Sequence, residues 1–154
     1  MDADFCAYAT KQFTDSIDRY IKDVEALSAE EMGRSWGKGS RSAFDFSYEV
    51  GWLNRRIATR FRGEDPGPIP TKFGEEWLEA PEELRTKEAL AQYLRTTADE
   101  LIAVIPEGLD KVIKVAENKT PAYQMLLFAS LHTSYHDAQL NYIQSMSGDM
   151  TVHW

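Results

Sequence analysis

His132 and His136 stand four residues apart in the stretch HTSYH. A helix advances about 100° per residue, so a helical HTSYH puts both rings on one face, one turn apart. Neutral imidazoles so placed can chelate a Zn²⁺- or Ni²⁺-class ion. The same spacing serves two hydrogen-bonded residues of a core or a subunit contact equally well, so a third ligand has to decide. The segment SAFDFSYEVGWLN offers Asp45, Tyr48 and Glu49, with Asn54 at its end, and His153 is the only other histidine.

The elements that must carry these residues read as helices. Phe13, Ile17, Tyr20, Val24 and Leu27 recur at spacings of three and four, which predicts an amphipathic helix over about 5–28. GRSWGKGSRS then reads as loop. A second helix starts near Ser42, whose spacing to Asp45 fits a capping box, and stops at Gly63. Its stripe is Ala43, Phe46, Val50, Leu53, Ile57 and Phe61. GEDPGPIP cannot be helical, because its prolines lack the amide proton a helix interior needs. FGEEWLEAP is expected to hold a short helical turn or to dock Trp77 on the helices.

A third helix is predicted from Thr86 to about Ile105, closed by Pro106, and a fourth from Thr120-Pro121 to Gly148. Strand signals are absent. Four amphipathic helices with one long Pro/Gly-rich crossover connection predict an all-α four-helix bundle, a single domain over 1–154.

On the fourth helix Met125, Phe128, His132, Tyr135, His136, Gln139, Ile143 and Met146 share one broad arc, which places both histidines toward the interior. On the second, Glu49 falls about 80° from the centre of the apolar stripe, at the margin of the buried face; Tyr48 points to the opposite side, and Asn54 holds the other margin. Glu49 would complete a two-His, one-carboxylate set that leaves coordination positions open to water or substrate, as catalytic sites do. Its alternative role is a salt bridge to arginine.

The bulk numbers exclude several classes. The formal charge of −8 over 154 residues opposes a nucleic-acid groove, which needs a concentrated basic surface. Arg55, Arg56, Arg60 and Arg62 cluster where cations favour a helix C-terminus. A single cysteine, Cys6, forms no intrachain disulfide. With no signal-peptide pattern and no apolar run long enough for a membrane span, a cytoplasmic protein with no membrane partner is the expectation. Paired E-x-x-H motifs of di-iron bundles are absent.

HTSYHDAQLNYIQSMSGD resembles the final helix of the DinB/YfiT-like superfamily, with its H-x-x-x-H, then a small residue, Gln, Leu and a terminal Gly-Asp. ALSAEEM and NRRIATRFRGE are similar to that superfamily's segments before and at the end of the second helix. The resemblance implies a four-helix bundle, often a homodimer, holding one divalent metal through three histidines, one of them on the second helix. That helix has no histidine here, and by register the position falls at Tyr48 or Glu49. The resemblance further implies a metal-dependent thiol transferase or a related isomerase, with a thiol or other small molecule as substrate. In such a site His132, His136 and Glu49 would hold the metal, and Tyr135, Gln139 and Asn54 would hydrogen-bond substrate. The competing expectation is a non-catalytic bundle acting as a dimer, to which Tyr48 and Trp52 would contribute a subunit contact unless they cover a loop.

Overall fold

The computed structural model describes residues 3–72 and 74–153. The first predicted stripe forms α1 (Ala3–Ala26), and a short α2 (Ala29–Gly33) follows on a complete capping box. There Ser28 Oγ accepts from the Glu31 amide at 3.2 Å, and Glu31 Oε2 accepts from the Ser28 amide at 2.7 Å. The second predicted helix is α3 (Ala43–Phe61) and the third is α4 (Lys87–Ile102). A short α5 (Ile105–Gly108), the antiparallel strands β1 (Val112–Val115) and β2 (Asn118–Pro121), and α6 (Ala122–Met146) complete the chain.

Around the bundle the long helices run in the order α1, α4, α3, α6, each packed on two neighbours. Phe13, Ile17, Tyr20, Phe61, Leu94 and Leu126 are fully enclosed at its centre. No helix among the described residues is long and apolar enough to cross a membrane.

Four expectations need correction. The expectation that strands are absent fails at β1 and β2, where Ile113 pairs with Thr120 and Ile113 turns into the core. Thr120 and Pro121 are therefore strand residues, and α6 opens only at Ala122, whose amide donates to the Lys111 carbonyl at 2.9 Å. Pro106 does not close the third helix; it sits in the first turn of α5, where its missing amide proton costs nothing. Ser42 does cap α3 by accepting from the Asp45 amide, but Asp45 returns no bond to the Ser42 amide. Its Oδ1 instead accepts from the Ala80 amide at 2.9 Å and from Arg85 at 2.8 Å.

The segment between α3 and α4 is a strap held at both ends. Asp45 fixes the end near Ala80. At the other end the buried guanidinium of Arg56 donates to the carbonyls of Pro66, Gly67 and Pro68 at 2.9, 2.6 and 3.2 Å, and lies 4.6 Å over the ring of Trp52. Pro66 and Pro68 leave the strap short of amide donors for its own carbonyls, and the arginine supplies donors in their place. Phe73, which opens FGEEWLEAP, lies outside the described residues; after it the Glu75 and Glu76 amides both donate to the Lys72 carbonyl, at 3.0 and 2.9 Å, in a single turn that no helix extends, and a 3-10 turn follows at Glu82–Leu84. Trp77 is docked only through one face, under the Arg41 guanidinium at 4.5 Å, and remains 56% exposed.

Gly51 sets how closely α3 and α4 approach. A Cβ there would lie 2.3 Å from Tyr93 Cε1 and 3.0 Å from Thr97 Oγ1, and Tyr93 is itself stacked on Tyr48 with ring centroids 5.4 Å apart. Alanine in a helix interior is worth about 1 kcal/mol over glycine, whereas forcing a group into a packed contact costs about 1–3 kcal/mol. Gly51→Ala is therefore expected to lower the urea-unfolding stability by roughly 1–2 kcal/mol. A more stable variant would show that the two helices separate freely.

Candidate metal centre

Glu49 on α3 and His132 and His136 on α6 meet across the α3–α6 contact. One ligand-type atom of each lies within 4.8 Å of the others. The two Nε2 atoms are 3.3 Å apart, and His132 Nε2 is 3.4 Å from Glu49 Oε1. Ligands about 2.0–2.1 Å from a tetrahedral ion stand roughly 3.3–3.4 Å from one another, so both distances are those of a chelating set.

The surroundings fix the ring of His136. The His136 ring is sandwiched against Phe46, with centroids 5.3 Å apart and planes 7° from parallel, and Tyr135 meets its edge at 5.0 Å. Its Nδ1 donates to Gln139 Oε1 at 2.7 Å, which leaves the Nε2 lone pair aimed at His132 and the carboxylate. Burial, then the adjacent His132, pushes the His136 imidazole down to about 4, so it is neutral and able to coordinate at pH 7. His132 Nδ1 is buried with no hydrogen-bond partner among the described residues.

Burial acts against the Glu49 carboxylate, but the hydrogen bonds from His132 and Arg41, together with the Arg41 charge, outweigh it and hold the carboxyl down at about 2. Arg41 Nη1 pairs with Glu49 Oε2, which turns Oε1 toward the histidines. Two imidazoles and a carboxylate turned toward one point fit a divalent cation. Without one, two facing imidazole nitrogens have to share a proton.

The three residues form the floor of a cavity of ≈1070 Å³ between α3, α6 and the strap. Phe46, Trp52 and Leu53 line it from α3; Ile69, Trp77 and Leu78 form the strap side; Phe128, Tyr135, Tyr142 and Ile143 form the α6 side.

The predicted site residues divide accordingly. Glu49, His132 and His136 come together. Tyr48 lies apart, stacked on Tyr93, and Trp52 lies under Arg56; both cover neighbouring structure of the same chain. His153 pairs with Asp149 at 3.3 Å in the terminal segment. Tyr135 is not on the buried face as expected; it is 61% exposed on the cavity rim beside His136. Asn54 is buried and absent from the cavity wall, which removes it as a substrate contact. Gln139 lines the cavity but is engaged in orienting His136. Sequence reasoning missed Arg41, which the loop GRSWGKGSRS hides among glycines and serines; its one signal is its place next to the Ser42 cap.

No known family model matches the sequence, and no curated protein matches it. Among solved structures the chain is similar to a DinB-like protein from Bacillus cereus ATCC 10987, with 12% sequence identity, 94% of this chain and 93% of that chain covered, and a TM-score of 0.69. The bundle, its helix order and the cluster at the α3–α6 contact thus belong to a chain with a DinB-like fold.

Proposed function

We propose that the chain is a divalent-metal protein in which Glu49, His132 and His136 hold one Zn²⁺ or Ni²⁺ ion open to the cavity, and that it acts as a metal-dependent transferase of the thiol-transferase type or as a hydrolase. The observation that carries this is the convergence of two imidazoles and one carboxylate at chelating distances on the floor of a cavity. A divalent ion there would lower the pKa of a bound thiol or water and supply a nucleophile near neutral pH. The chain's own residues do the rest. Gln139 holds the His136 tautomer, Arg41 turns Glu49 inward, and the Tyr135 hydroxyl stands at the rim as a hydrogen-bond donor for a substrate.

The test is metal content by elemental mass spectrometry on protein purified without chelators, followed by a transfer assay with common low-molecular-weight thiols. Near-stoichiometric metal is expected. Protein that is metal-free and cannot be loaded with zinc or nickel overturns the reading.

A second reading, a homodimer that uses the bundle for association, is supported by the outer face of α6. Leu131 is 67% exposed there, with Leu127 and Met146 also exposed, on a side of the helix that the described residues leave open. Sedimentation at micromolar concentration decides it, and Leu131→Glu is expected to shift a dimer to monomer.

A further inference from the structure

Resting on the metal reading above, we infer that the cavity takes an amphipathic molecule: an aromatic or alkyl body laid along the apolar wall, with one anionic head, a carboxylate or thiolate, on the metal. The cavity is chemically two-ended. Its floor gathers the ligands, Gln139 and Arg41, while the wall beyond is built from Leu53, Ile143, Trp52, Trp77, Phe128 and Tyr142.

Polar side chains on the outer wall are few, Thr71 and the hydroxyls of Tyr135 and Tyr142 among them, and two others are engaged within the chain. Ser40 is bonded within its own loop to Gly37 and Ser35, and Glu76 accepts from the Lys72 amide at 3.1 Å. A polyhydroxylated or peptide-like ligand would lose its water here for fewer partners than it has polar groups, at a cost for every one left unpaired. An apolar body loses nothing and covers aromatic faces that the chain leaves open: Tyr142 is 67% exposed and Trp77 56%.

The head follows from charge. A divalent ion and Arg41 together outweigh the single carboxylate of Glu49, so the floor is cationic and favours an anion that can also coordinate. Size agrees, because ≈1070 Å³ is at the upper end of pockets that enclose drug-sized ligands and far exceeds the need of a two- or three-carbon acid.

The test uses the full chain, first titrated with zinc or nickel and desalted, then titrated calorimetrically with decanoate below its micellar range, with acetate and with decanol. Decanoate is expected to bind at least a hundredfold more tightly than acetate and at least tenfold more tightly than decanol, and to shift the tryptophan fluorescence through Trp52 and Trp77. Leu53→Ala and Tyr142→Ala are each expected to take zinc normally and to weaken decanoate at least threefold. Decanoate no tighter than acetate overturns the apolar body. Decanol equal to decanoate overturns the anionic head. Binding that leaves the fluorescence unmoved, or that both wall variants leave unchanged, overturns the placement. A wild type that takes up neither zinc nor nickel, each offered in that first titration, overturns the inference together with the proposed function before any ligand is added.

Discussion

Glu49→Gln is expected to weaken zinc binding about 10²- to 10³-fold, and the His132→Ala, His136→Ala double variant to abolish it. Zinc bound by protein ligands is held by about 10–16 kcal/mol in small structural sites, so one ligand among three or four carries roughly 3 kcal/mol, which is two orders of magnitude or more in affinity. Glutamine keeps the shape of Glu49 and leaves an oxygen for Arg41, so the change isolates the lost anionic donor. The two histidines are not equivalent. His136 is nearly enclosed and stacked on Phe46, so removing its ring opens a hole in the core; His136→Ala alone is expected to cost the metal-free protein about 2 kcal/mol or more. His132 retains 15% of its side-chain exposure and should cost less. Competition with a chelating dye reads the affinity and urea unfolding of metal-free protein reads the stability, so lost ligation is not mistaken for lost folding. If Glu49→Gln keeps wild-type affinity while the double variant loses it, the carboxylate is not a ligand.

What the sequence shows of this site follows from which signals are local. Histidines four apart and a carboxylate at the margin of an apolar stripe are statements about single helices, and Glu49, His132 and His136 do converge. The phase of α6 was harder. Apolar residues surround nearly its whole circumference, so periodicity does not mark an inner side. Its buried face is Leu126, Ala129, Thr133, His136 and Leu140, turned about 90° from the centre, near His132, of the arc that the spacing predicts. That rotation puts the aromatics on the cavity and in solvent. The hairpin escaped because each strand has only four residues and its turn uses Ala116 at φ 51°, without the Asn-Gly or Asp-Gly pair that marks a tight hairpin. Arg41 and Arg56 owe their roles to where a loop and a strap fold back, which no spacing within a helix encodes.

Arg56→Ala is expected to lower stability by roughly 2–3 kcal/mol and to open the strap to proteases between residues 64 and 71, while zinc uptake stays at wild-type stoichiometry. The sign needs argument, because a buried cation without a carboxylate partner is itself costly. Burial, and then the neighbouring Arg60, draws the Arg56 guanidinium pKa down. Against that cost stand three charge-assisted bonds to the carbonyls of Pro66, Gly67 and Pro68, worth about 1.5–3 kcal/mol each before discount, and the stack on Trp52. The discount is real, since these carbonyls lie near the surface and can turn to water when the arginine is gone; it brings the sum down to a few kcal/mol without reversing it. Arg56→Lys keeps the charge but not the fork, cannot reach three acceptors at once, and should fall between the two. The proposed zinc ligands, Glu49, His132 and His136, make no bond to Arg56, so their geometry is expected to survive the loss. The strap wall is different. Ile69 and Trp77 line the cavity from a segment that Arg56 latches at one end, so unlatching should weaken decanoate while leaving zinc in place. If zinc is lost along with the strap, Arg56 supports the bundle as a whole and the metal floor is not independent of its roof.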